Sequence, residues 1–154
     1  MTQEDKKLLL KDLCARLPYG IVINTGDKDL KLDRQYQCIG VLYPEDCSNE
    51  FNERNNNASF YIVISGCYYG ENIKPYLRPM SSMTEEERNE WASGSAKLTL
   101  DIFKKKVSDE MDIPDACDSA FSIDWLNAHY FDYRGLIEKG LALEAPEGMY
   151  NITK

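Results

Sequence analysis

The sequence predicts an α+β domain: an N-terminal helix, a small antiparallel sheet, and C-terminal helices packed on one face or end of that sheet. Three observations carry this expectation. Leu9, Leu10, Leu13, Cys14 and Leu17 recur at helical spacing and stop at Pro18. Runs rich in β-branched and aromatic residues then follow one another, from Tyr19 to the tyrosines at 68 and 69. Beyond Ser82 the apolar spacing is helical again. Strands in series flanked by helices differ from the strict βαβ alternation of a doubly wound sheet. An SH3-like partial barrel is one form open to such a twisted sheet.

Each element has its own signals. Thr2 with Glu4 and Asp5 opens a first helix over roughly 3–16, and Arg16 near its end suits the helix dipole. Tyr19–Ile23 and Leu30–Tyr43 read as a hairpin around the turn cluster at 24–27, with Gly40 a candidate bulge. Residues 44–58 are polar and asparagine-rich, and an exposed loop is expected there. Phe60–Ile64 is continuously apolar, as in a central strand covered on both faces. Cys67–Gly70 suits a short last strand, and the prolines at 75 and 79 keep 73–80 extended or turned. Ser82 or Thr84 before three glutamates starts a helix that runs to about Ala92. Further helices are expected from Leu98 to Met111 and from about Ser119–Ser122 through Trp125 and Leu126, the last ending at Asp132–Gly135.

The totals fix the broad class. A chain of 154 residues fits one domain over 1–154, and a compact domain of this size withdraws about 68–70% of its unfolded surface from water. Five irregularly spaced cysteines, in a chain with no signal-peptide core at its start, point to reduced thiols in the cytoplasm. No pair has the spacing of a zinc turn, and no stretch has the length of an apolar membrane span. The net charge of −8 has no basic lobe to offset it, so nucleic acid is not an expected partner. Lys104–Lys106 reads as a solvated helix face. Gly66, Gly70 and Gly94 lack the spacing of a phosphate loop, and no cofactor or metal is expected.

Three blocks carry a resemblance: Leu8–Gly20 (LLLKDLCARLPYG), Ile73–Glu87 (IKPYLRPMSSMTEEE) and Ile123–Tyr150 (IDWLNAHYFDYRGLIEKGLALEAPEGMY). In this order they resemble a group of short, uncharacterised proteins encoded by gut anaerobic bacteria and their prophages and mobile elements. No activity comes with that group. The resemblance implies a second histidine after His129, where this chain has Tyr130. A mechanism built on paired imidazoles loses its support.

His129 is the only histidine, and its imidazole is the one side chain that titrates near neutrality when unperturbed. With Asp132, and Cys117 or Asp124, it defines a low-ranked catalytic set for a small hydrolase with His129 as general base. The plainer reading has His129 complete its helix surface. It has Asp132 and Arg134 form an ion pair, or bond to backbone groups, where the helix turns at Gly135. Arg134 could instead hold a ligand carboxylate, and Arg78 poses the same choice. Glu85, Glu86 and Glu87 point about 100° apart on a helix, so they are start charges and not convergent metal ligands. Ten tyrosines, including Tyr68, Tyr69 and Tyr133, favour a binding surface for another protein. The expected function is therefore that of a small, acidic, non-enzymatic accessory or interaction protein of the cytoplasm.

Overall fold

The computed structural model describes residues 1–25, 36–54, 58–64, 67–69, 73–94 and 116–150. Helix α1 spans Gln3–Arg16 and begins with a reciprocal cap, in which the Thr2 hydroxyl accepts from Asp5 N–H and the Asp5 carboxylate accepts from Thr2 N–H. Leu9 and Leu13 are fully buried, and Asp12 and Arg16, interleaved with them on the same stripe, are fully buried too. A 3-10 turn at Leu17–Tyr19 then redirects the chain at Gly20, whose φ is 76°. A Cβ at Gly20 would lie 1.6 Å from the Gln37 side-chain nitrogen, so only glycine fits the turn.

Among the described residues, seven strands make two sheets. In the first, β2 (Tyr36–Gln37), β1 (Val22–Asn24), β6 (Lys74–Leu77) and β7 (Leu143–Glu144) lie in that order, the last pair parallel and the others antiparallel. In the second, β4 (Tyr61–Ile64) lies between β3 (Gly40–Leu42) and β5 (Cys67–Tyr69), all antiparallel. The chain changes sheets within three residues: Cys38 N–H donates to Ile21 in the first, and Ile39 N–H to Val63 in the second. Because Gly40 is also the register partner of Val63, two residues face one, which is the bulge expected at Gly40. The bulge bends the strand from one sheet into the other.

The arrangement is α+β with an N-terminal helix, as expected. Three details differ from expectation. The sheet is mixed, because the long excursion from residue 78 to 142 allows the chain to return parallel to β6. The short β7 went unforeseen, since a two-residue strand carries no alternation. Residues 44–54 are largely exposed as expected, yet they hold a 3-10 turn at Pro44–Asp46 and a short helix α2 at Asn49–Arg54. Asn52 secures that segment by donating to the Pro44 carbonyl and accepting from the Tyr61 hydroxyl.

Helix α3 covers 85–94, and helix α4 covers Ala116–Ala128, beginning somewhat earlier than the sequence indicates. The helix expected over 98–111 lies outside the described residues. Two apolar clusters result. The larger joins Leu9 and Leu13 of α1 to Ile21, Phe60, Ile62 and Leu77 of the sheets. The smaller gathers Met83, Trp125, Leu126 and Phe131, with Trp91, Phe121 and Tyr133 at its margin. No helix among the described residues is long and apolar enough to cross a membrane.

Helix α4 ends in a Schellman motif: Phe131 N–H donates to Leu126 and Tyr130 N–H to Asn127. The left-handed position belongs to Tyr130, at φ 62°, where glycine is the usual occupant. Such a backbone costs a non-glycine residue about 1–2 kcal/mol. Offsetting contacts hold the tyrosine in place: its ring stacks on Tyr150 at 3.6 Å and its hydroxyl donates to the Tyr19 carbonyl.

Candidate functional site

Three of the residues nominated for chemistry, Asp132, Tyr133 and Arg134, fall at a buried polar junction between α1 and the turn after α4. Arg16 grips Asp12 through two hydrogen bonds of 2.8 and 3.0 Å, and its second terminal nitrogen also donates to the Phe131 carbonyl. Arg134 reaches the same carboxylate at 2.7 Å and lies over the Tyr133 ring. Asp12 thus holds two guanidinium groups, which explains how a carboxylate and an arginine can both be fully buried. The first terminal nitrogen of Arg16 has no hydrogen-bond partner among the described residues.

Asp132 is buried and does not pair with Arg134. Both its carboxylate oxygens accept backbone N–H groups, from Leu136 and Ile137, each at 2.8 Å. Of the two structural roles the sequence left open, Asp132 takes the backbone one. Arg134 takes an ion pair, but with a residue 122 positions away. The Tyr133 hydroxyl donates to Asn127, and burial pushes its pKa up.

His129 stacks on Trp125 with ring centres 3.7 Å apart, and its Nδ1 lies 2.9 Å from the Trp125 carbonyl. No ion pair joins it to a carboxylate among the described residues. Asp124, the other acid considered with it, accepts the Tyr19 hydroxyl at 2.5 Å, a contact that pushes the Tyr19 pKa up to about 12. The side chains of Cys117, Tyr68 and Tyr69 lie outside the described residues. Burial raises the thiol pKa of Cys14 and of Cys38, so neither is a ready thiolate. No group of three or more metal-ligating side chains converges among the described residues.

The concave surface lies elsewhere. A groove of about 680 Å³ opens at the C-terminal ends of the parallel pair β6 and β7, between the segment leading into α3 and the turn at 144–148. Its walls include Arg78, Ser82, Glu87, Glu144, Glu147 and Tyr150. Arg78 and Glu87 form a two-pronged ion pair of 2.7 and 2.9 Å with about a fifth of each side chain exposed. Glu87 also closes the cap of α3: it accepts from Thr84 N–H, and the Thr84 hydroxyl accepts from Glu87 N–H. The Arg78 guanidinium, helped by the Thr84 N–H, holds the Glu87 carboxyl below its ordinary range despite partial burial.

Arg78 lies 4.2 Å over the Phe131 ring, and its backbone exchanges hydrogen bonds with Tyr130 and Asp132, so one residue ties the groove to the junction. Tyr150 forms the opposite wall. Its hydroxyl donates to Tyr76 and accepts from Val22 N–H, and burial raises its pKa. The strained Tyr130 packs directly behind it.

Sequence reasoning favoured a structural role for Arg78 over a ligand-holding one and did not assemble this groove. The Thr84-x-x-Glu87 spacing was a usable sign that Glu87 bends back over the helix start. Glu144 and Glu147 offered none. The chain matches no family model, no curated protein and no solved structure.

Proposed function

We propose that this protein is a small, non-enzymatic accessory protein that acts in the cytoplasm by binding another protein, of the mobile-element or prophage type that its three sequence blocks resemble. One observation carries the proposal. The described side chains nominated for chemistry are engaged inside the molecule: Asp132 by two backbone N–H groups, Arg134 by Asp12, and His129 by the face of Trp125. A general base needs a free nitrogen near a reacting proton and an acid or orienting carboxylate to tune it. His129 pairs with no orienting carboxylate among the described residues: its ring packs on Trp125 and its Nδ1 lies against the Trp125 carbonyl.

Affinity capture from a bacterial host lysate, followed by reconstitution with the purified candidate, tests the reading. A discrete partner that binds wild type and His129→Ala alike is the expected result. Hydrolysis of generic ester or peptide substrates that disappears in His129→Ala would overturn it in favour of a small hydrolase with His129 as general base.

A further inference from the structure

We infer that the groove beside β7 takes an extended, basic segment of another protein, added as a strand to the outer edge of β7; this rests on the protein-binding reading and names the partner's chemistry. The backbone supplies the first argument. Ala145 N–H donates to Leu77 of β6 at 2.8 Å, and successive residues of a strand alternate, so the N–H and C=O of Glu144 face away from β6. β7 ends the described order of its sheet, and nothing among the described residues pairs with that outer edge. An unpaired edge is a template for main-chain hydrogen bonds from an incoming strand.

Glu144 belongs both to this edge and to the groove wall, so a strand paired there lies against a cavity of about 680 Å³ that can receive a side chain. Charge selects that side chain. The groove lining carries Glu87, Glu144 and Glu147 against the single cation of Arg78. Arg78 is already committed to Glu87, which leaves the exposed Glu144 and Glu147 to meet a lysine or arginine. The wall behind is preorganised, since Tyr150 is fixed by two hydrogen bonds and by the stack on Tyr130. A basic segment would also be steered by the net charge of −8.

Binding of a capped peptide of alternating lysine and valine to the full chain, followed by calorimetry and by amide shifts in NMR, tests this. The peptide is expected to bind, to shift amides of 78–87 and 143–150, and to weaken at least tenfold against Glu144→Lys/Glu147→Lys. Both glutamates are exposed, so the double variant keeps the fold. The same peptide methylated on alternate backbone nitrogens is expected to lose binding to the unaltered protein. Equal binding of the methylated peptide, of a glutamate–valine peptide, or of spermidine in place of the peptide would overturn the proposal, as would no binding at all. If a natural partner is captured and the double variant retains it, the protein-binding reading stands and the groove assignment falls.

Discussion

The junction around Asp12 and the groove around Arg78 are built from the same pairing of arginine with carboxylate, yet one is sealed and the other open. In the junction, one fully buried carboxylate is shared by the fully buried Arg16 and by Arg134, whose side chain is mostly buried, and the nearby Asp132 is saturated by backbone N–H groups. In the groove, a one-to-one pair stands at the rim with two further glutamates beside it. Sealing makes a charge a structural necessity, because its partner cannot turn to water. At the rim, the exposed Glu144 and Glu147 have no such necessity and remain available to a partner.

The largest expected effect comes from breaking the sealed side. Asp12→Ala strands Arg16 in the interior and unpairs Arg134, and should cost about 3–5 kcal/mol, read as a lower denaturant midpoint with an unchanged slope. A loss below 1 kcal/mol would mean that the guanidinium groups find water. Asp132→Ala should follow, at about 1–3 kcal/mol, because the Leu136 and Ile137 N–H groups lose their acceptor. Thr84→Ala, which removes a cap at the groove margin, should cost about 1 kcal/mol in thermal unfolding. An effect as large as that of Asp12→Ala would erase the distinction between the two regions.

The smallest effects are titrations. Glu87 has its folded pKa lowered, so its contribution to stability is present above the unfolded carboxyl pKa and is lost as pH falls through the folded value. Glu87→Gln should therefore flatten the acid limb of the stability profile. Tyr19 behaves in the opposite sense. Its folded pKa of about 12 lies above the ordinary 10, so the contribution is full below 10 and is lost as pH rises towards 12. Ultraviolet titration should show one late tyrosinate fewer in Tyr19→Phe, whereas loss of a tyrosinate that forms near pH 10 would dissolve the Tyr19–Asp124 contact.

How legible each region was follows from the range of its interactions. α1, β4 and the start of α3 announce themselves through local periodicity and caps, and Gly40 marks its bulge because a single residue carries that signal. Asp12 and Arg16 look like an ordinary surface pair four residues apart on a helix. Their place in the apolar stripe of Leu9 and Leu13 is the clue that they are buried, but Arg134 and the Phe131 carbonyl, which make burial tolerable, lie more than a hundred residues on. The groove is harder still. It exists because a two-residue strand pairs parallel to β6 after a long excursion, and nothing in Leu143–Glu144 signals that pairing. His129 drew attention by rarity alone, which says nothing about the tryptophan one turn away that occupies its face.

The span of the junction also bears on the order in which the chain can mature as it is made. α1 emerges from a ribosome well before the groups that enclose its Arg16 and Asp12, which are encoded 115 and 122 residues later. Until they arrive, the helix keeps its charged pair in water and its leucines lack their full cover. The closing contact is consequently a late one, of high sequence separation, and such contacts slow folding.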